Sequence, residues 1–341
     1  MSEFSYPFGA KSSAPWRRGA LERLRLAAKK AVDPWRAPDR NRSTLKLRSG
    51  AGRPLAQDEA VVLFLTRNDR RFMPSFLEHY RKMGVTRFVC VDDRSVDGTV
   101  DYLAGQSDTD LFTSTLRYRE ADRGKVWREE LLARYGKNRW YIIVDSDEYL
   151  LYETLGQETV TEFAKRLSER GVARLPAPML DLYPVGDLNA ALFTGQIDQR
   201  PWDVATHFDA DGYRAIASGA AISIYGGVRA RAFGANGELM KYPLMRWDRF
   251  CSLGRTIHRP RPASYNFAPA MGALLHFKVF SDFEDRVKDA ISEGQHYKGA
   301  RSYQKMLDHF TGKGIGDLRY SGSKRYEGPT DLLKSGFMLA L

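Results

Sequence analysis

Two groups of acidic residues in this chain have the types and spacing that chemistry requires. The first is Asp145-Ser146-Asp147-Glu148, which follows directly on the apolar run Trp140-Tyr141-Ile142-Ile143-Val144. Carboxylates packed this closely repel one another unless a cation or strong hydrogen-bond donors offset the charge. Oxygen ligands of this kind suit Mg²⁺ or Mn²⁺, ions that keep several waters and also bind diphosphate oxygens. A helix start would use the same residue types, because Asp and Ser favour caps and acids favour first turns. The second group is Asp92-Asp93-Arg94-Ser95-Val96-Asp97-Gly98-Thr99, after the apolar stretch Thr86 to Val91. Its carboxylates can accept hydrogen bonds from a nucleobase N–H or a ribose hydroxyl. Asp97-Gly98-Thr99 also reads as a sharp turn.

The elements around these groups alternate. Ala60 to Leu65 reads as a buried strand ending in Thr66-Arg67-Asn68-Asp69, and Phe72 to Met83 as a helix stopped by Gly84. Thr86 to Val91 is a second strand, with a helix following through Leu103. Leu111 to Tyr118 suits a third strand, Gly124 to Arg134 a helix, and Trp140 to Val144 a further strand. Strands alternating with helices predict an α/β fold with a mostly parallel sheet, in which ligands sit at the carboxyl ends of the strands. Each polar group above falls at such an end. In the second half, Val172 to Leu182 suits a strand, Ala221 to Ala232 a strand or hairpin, and Ala273 to Phe280 another apolar run. Ser281-Asp282-Phe283-Glu284 matches a capping box at a helix start, and Ser302 to Phe310 reads as a second helix.

The bulk properties bound the partners. The chain has 341 residues, 43% hydrophobic, with 53 Lys and Arg against 42 Asp and Glu. That content can fill a sizeable core, and the basic balance favours anionic partners without choosing among them. Cys90 and Cys251 are too few and too scattered for a disulfide framework or a zinc cluster, so a reducing cytoplasm is the simplest compartment. The sequence has no apolar stretch near the ~20 residues of a membrane span and no signal-like start. Residues 16–32 do combine a modest apolar stripe with Arg17, Arg18, Arg23, Arg25, Lys29 and Lys30. Such a helix can pack on the body, or lie on an anionic membrane as a peripheral contact at the inner face.

Together the acidic motifs resemble the nucleotide-binding half of family 2 glycosyltransferases, enzymes of the GT-A fold with a Rossmann-like sheet. The resemblance lies in V-D-D-x-S-x-D-G-T after the second strand and D-x-D after a later one. Asn68 and Asp69 follow the first strand, and Trp140 to Tyr149 fits the W-x-x-x-x-D-x-D-E-F/Y pattern of a branch similar to family 92. The resemblance implies residues 1–57 as a basic extension, 58–281 as the transferase domain, and 282–341 as a helical extension. Within the domain, 58–153 would bind the nucleotide-sugar and 154–281 the acceptor. It implies that Thr66 and Asp93 hold the nucleobase, with Asn68 beside them, and that Asp145 holds the ribose. Asp147 would be the metal ligand, for Mn²⁺ or Mg²⁺, with His276 completing the metal site. Lys125 and Lys278 would meet donor phosphates, and Lys241 and His258 match positions near the site. Arg94 departs from the family, which usually has Gly there.

The implied activity is transfer of a sugar, with inversion, from a nucleotide-sugar to a glycan or lipid-linked acceptor. UDP is the first expectation for the donor nucleotide and GDP the second. Such transfer needs a carboxylate to take the acceptor's proton. Asp181, at the end of an apolar run, is the first candidate, followed by Glu238 and Asp248. A nucleotidyltransferase can share fold and metal, but would usually carry a Gly-rich loop where Thr66-Arg67-Asn68-Asp69 stands. A basic nucleic-acid-binding protein would explain the charge but not two acidic groups at strand ends, so nucleic acid is not expected as a partner.

Overall fold

The computed structural model describes residues 2–9, 14–16, 43–254, 257–295, 304, 307 and 316–341. Its strands, in chain order, are β1 (Ser2–Tyr6), β2 (Leu45–Ser49), β3 (Val61–Thr66), β4 (Arg87–Asp92), β5 (Thr109–Ser114), β6 (Arg139–Asp145) and β7 (Glu148–Leu151). They continue with β8 (Arg174–Leu182), β9 (His207–Asp209), β10 (Tyr213–Ala217), β11 (Ile222–Gly226), β12 (Met240–Trp247), β13 (Ala273–Phe277) and β14 (Ser323–Arg325). Nine of them form one mixed sheet flanked by helices, in the order β2-β5-β4-β3-β6-β12-β8-β13-β7.

The parallel part is built as the sequence predicts. β3 and β4 are mostly apolar and buried at every position, as a strand covered on both faces must be. The helix Met73–Lys82 buries Met73, Phe76, Leu77 and Tyr80 on one stripe, and Gly84, at φ 88°, turns the chain back toward β4. β5, β4, β3 and β6 then run parallel, joined through this helix and the helices Thr99–Ala104 and Lys125–Tyr135.

Beyond β6 the sheet changes direction. β12 is antiparallel to both β6 and β8, β13 is parallel to β8, and β7 is antiparallel to β13. β8 is shared between neighbours: its first half pairs with β12 and its second half, from Met179, with β13. These directions bring the carboxyl ends of β3, β4, β6, β8 and β13 to one end of the sheet, together with the amino ends of β7 and β12.

Several expectations change. The segment expected as a strand or hairpin over 221–232 is β11 followed by the helix Gly227–Phe233, because Gly226 and Gly227, at φ 121° and 71°, break the strand. β5 spans Thr109–Ser114, so 115–118 leave the sheet. The helix after Ser281 starts at Phe283 and runs to Glu293, but no capping box forms. Its N-cap is Asp282, whose carboxylate pairs with Arg71 at 2.9 Å rather than with the helix backbone. The sequence pattern predicts neither β7 nor β12.

The described parts of 1–57 belong to the body. β1 pairs with β10, Tyr6 donates to the Phe337 carbonyl, and Trp16 donates to that of Ala268. β2 closes one edge of the large sheet against β5. The expected basic helix over 16–32 lies outside the described residues beyond Trp16, as does that over 302–310 apart from Gln304 and Leu307. Residues 316–341 contribute β14 and the helix Pro329–Lys334, followed by buried Phe337 and Met338. Cys90 and Cys251 are both buried and free. No helix among the described residues is long and apolar enough to cross a membrane.

Candidate metal centre

Strand register assembles the centre. His276 on β13 lies opposite Asp181 of β8 on one side and Glu148 of β7 on the other. One row across three strands therefore carries a carboxylate, an imidazole and a second carboxylate. Asp147 immediately precedes β7, and ligand atoms of Asp147, Glu148 and His276 all lie within 4.8 Å of one another. This group could hold a metal ion.

Its chemistry fits that use. His276 Nδ1 is bonded to Asp181 Oδ1. A carboxylate can only accept there, so Nδ1 carries the hydrogen, and in the neutral ring Nε2 presents a lone pair. Nε2 stands 3.6 Å from Asp147 Oδ2. Two ligands held about 2.1 Å from one ion at roughly right angles are separated by about 3 Å, so modest closure would seat an ion between them. Lys278 Nζ lies 3.4 Å from the same Asp147 oxygen, which brings this predicted phosphate contact to the centre. Burial would raise the Asp147 carboxyl, but the charge of Lys278 beside it pulls harder and holds it below its ordinary value.

Asp145 occupies a different environment from that expected. Its Oδ1 is bonded to Arg128, a guanidinium only 1% exposed on the helix Lys125–Tyr135, and its Oδ2 to Lys241 Nζ at 2.7 Å. Lys241 also bonds Glu148 Oε1, and Glu148 Oε2 accepts from the Asp145 backbone N–H. Burial opposes the charge on Asp145, yet Lys241 and then Arg128 hold its carboxyl well below the usual range. Burial likewise opposes the charge on Lys241, and Asp145 and Glu148 push its ammonium well above its ordinary value. Burial raises Glu148 despite Lys241. Asp145 is thus anchored by two cations and has only its remaining lone pairs for a ribose.

The carboxyl ends of β3 and β4 adjoin this cluster. Thr66 faces Asp92 in register, and Thr66 Oγ1 and Asp92 Oδ1 are both buried without a hydrogen-bond partner. Asp93 is buried and accepts from Arg117 Nε at 3.0 Å and from the Tyr118 N–H. Asn68 ties the two loops: its N–H donates to Ser95 Oγ and its Oδ1 accepts from the Val96 N–H, both at 2.8 Å. That is a brace between loops rather than a surface for a ligand. Asp69 accepts from Ser146 Oγ at 2.5 Å and from Arg286 at 2.8 Å, while Arg67 pairs with Glu293. The helix Phe283–Glu293 is therefore pinned across this end of the sheet.

Of the remaining predicted residues, Lys125, Asp248 and Glu238 find their partners outside the cluster, whereas Asp181 is bonded to His276. Lys125 opens its helix after Asp122, Arg123 and Gly124, all at positive φ, and its charge acts on Glu129. Asp248 follows β12, and since Trp247 pairs with Arg139, it lies at the far end of the sheet. There it accepts from the Phe250 N–H and Tyr265 OH, both at 2.8 Å, so the geometry removes it as a base. Glu238 precedes β12 at the same end as the cluster but accepts from Ser223 Oγ at 2.6 Å and faces Arg259. Burial raises its carboxyl. Asp181 is only 6% exposed, and both its oxygens are used, by His276 and by Arg229 Nε at 2.7 Å. Burial would raise it, but Arg229 and His276 hold it well below the ordinary range, which suits an anchor and not a base at neutral pH. His258, as expected, is near: its Nδ1 meets the Met240 carbonyl at 2.7 Å, and burial, with the charge of Lys241, pushes it down to about 4.

Sequence reasoning missed Arg128, Arg117, Arg229 and Arg286. Nothing local marks these four among 53 basic residues; only the fold sets them against Asp145, Asp93, Asp181 and Asp69. The chain matches no family model, and no curated protein matches it.

Proposed function

We propose that this protein is a metal-dependent glycosyltransferase of GT-A architecture that uses a nucleotide-sugar donor. The observation that carries the reading is the convergence of Asp147, Glu148 and His276 at the carboxyl ends of the strands that also carry Thr66 and Asp93, where parallel α/β folds take ligands. Asp147 and His276, with Glu148, would hold Mn²⁺ or Mg²⁺. That ion would supply Lewis-acid stabilisation of a departing diphosphate.

The chain's own groups supply the rest. Thr66, Asp93 and its partner Arg117 would receive the base at those strand ends. Lys278, 3.4 Å from Asp147, adds a positive charge where diphosphate oxygens would lie. Arg128 and Lys241 fix Asp145 so that the turn carrying Asp147 keeps one conformation. Of the three candidate bases, Glu238 alone remains, at the ligand end of the sheet with a raised carboxyl, to take the acceptor's proton. The donor is a UDP-sugar in the first instance, and the acceptor a glycan or lipid-linked sugar.

A calorimetric panel of UDP, GDP and their sugars, with and without Mn²⁺, tests the reading. A nucleotide diphosphate that binds more tightly with metal than without it, and more tightly than the monophosphate, is expected. Affinity that does not change with metal, or no binding across the panel, overturns it.

A further inference from the structure

We propose that Asp181 is a positioning residue that fixes the tautomer of His276 and aims its Nε2 at the metal position beside Asp147. The inference rests on the reading of Asp147, Glu148 and His276 as a metal-holding group.

Asp181 and His276 are direct neighbours in the parallel register of β8 and β13, so the backbone itself sets them side by side. Both are buried, at 6% and 3% exposure, so solvent does not compete for the bond between Oδ1 and Nδ1. The other carboxylate oxygen accepts from Arg229 Nε at 2.7 Å, which stops Asp181 from rotating away. Arg229 comes from the helix that follows Gly226 and Gly227, outside the large sheet. The chain Arg229–Asp181–His276 thus runs from that helix to the face of the imidazole opposite Asp147. Carboxylates bonded to the outer nitrogen of a ligating histidine fix its ring and raise its basicity, and their removal typically lowers metal affinity about 10- to 100-fold.

The hydrogen-bonding inventory gives the substitution Asp181→Asn a particular consequence. An amide has one accepting atom where the carboxylate has two. Arg229 can only donate, so it takes the amide oxygen and leaves the NH₂ group facing His276 Nδ1. A donor there requires Nδ1 to accept, which moves the ring hydrogen to Nε2 and blocks the lone pair aimed at the metal. Asp181→Asn should therefore act almost as removal of the imidazole, although it changes neither size nor any group touching the ion.

The experiment titrates Mn²⁺ into the full chain, reading the free ion by electron paramagnetic resonance, for wild type, Asp181→Asn, His276→Gln and the double variant. Each single change is expected to weaken Mn²⁺ binding by roughly 10- to 100-fold, and the double variant should bind no more weakly than His276→Gln. Full affinity in Asp181→Asn beside a weakened His276→Gln overturns the positioning role alone. So does an independent further loss in the double variant. An unchanged His276→Gln overturns the metal reading itself. Nitrogen-15 spectra of histidine-labelled wild-type protein give a second readout that needs no variant to fold. The metal-free imidazole of His276 should be protonated at Nδ1 and bare at Nε2, and the opposite tautomer overturns the proposal.

Discussion

Lys241 Nζ lies 2.7 Å from Asp145 Oδ2 while also bonding Glu148, so one buried ammonium joins the end of β6 to the start of β7 across the turn that carries Asp147. The turn itself is short, and its carboxylates would repel if the ammonium were absent. Lys241 comes from the antiparallel strand β12, inserted between β6 and β8. A direction reversal in the sheet is therefore what delivers the cation.

Removing that ammonium should destabilise the fold and loosen the centre together. Lys241→Met leaves Glu148, which is fully buried, without its cation. Breaking a buried pair by removing one partner costs about 3–5 kcal/mol. Urea unfolding should show a free energy of unfolding lowered by an amount in that range, and a change under 1 kcal/mol would mean that water replaces the ammonium.

Asp147→Asn should abolish the dependence of nucleotide binding on Mn²⁺ and leave the protein folded. Asp147 is partly exposed and its near neighbours are His276 and Lys278, so the neutral amide leaves no buried charge unpaired. Calorimetry with UDP in Mn²⁺ and in EDTA decides it. Equal affinity for wild type and variant in Mn²⁺ would remove Asp147 from the metal group.

Asp93→Ala should weaken nucleotide binding by roughly 1–3 kcal/mol, the scale of a hydrogen bond to a charged group. The loss should appear with and without metal, since Asp93 touches Arg117 and Tyr118 rather than the Asp147 group. A loss confined to Mn²⁺-containing buffer would place Asp93 in the metal site instead.

Glu238→Gln tests the remaining base. Loss of a general base typically lowers turnover by about 10²- to 10⁴-fold. The donor's binding constant should stay unchanged, because Glu238 contacts Ser223 and Arg259 and not Thr66 or Asp93. Turnover within a factor of two of wild type would exclude it.

The parallel half of the sheet was legible because its signals are local. β3, β4 and β6 are continuous apolar runs, each closed by a polar cluster, and the helices between them carry stripes of the right period. What escaped was non-local. β12 is interrupted by Lys241 and Pro243 and carries a register shift between Lys241 and Leu244, so its pattern is not that of a simple strand. β7 is a short apolar segment, Glu148–Leu151, whose pairing with β13 depends on a strand more than a hundred residues away. Asp181 and His276 stand apart in the sequence, one a candidate base and the other a candidate ligand. Their pairing comes from the register of β8 and β13, which no spacing in the chain reveals. The arginines that satisfy Asp93, Asp145 and Asp181 are hidden for the same reason.

Stability should fall as the pH drops below neutrality, and His79 gives the fall a defined window. Its Nε2 is 2.9 Å from the Leu150 carbonyl, and its ring packs edge-on against Tyr80, Tyr149 and Trp202. Burial disfavours the imidazolium and pushes the ring down to about 4. An unfolded histidine takes up its proton near pH 6.5, so between about 6.5 and 4 the unfolded chain binds a proton that the native chain refuses. His79 therefore costs nothing above pH 6.5, and stability is lost as pH falls, until the native ring titrates near 4. With one pH unit of separation equivalent to about 1.4 kcal/mol, the full loss is on the order of 3 kcal/mol. His258, depressed to a similar value, adds a loss of the same sign. Urea unfolding of wild type and His79→Gln from pH 8 to pH 4.5 measures it. The variant keeps a donor for the Leu150 carbonyl but cannot titrate, so its stability should decline less steeply by close to one proton between pH 6 and pH 5. Parallel declines would show that His79 is protonated in the native state.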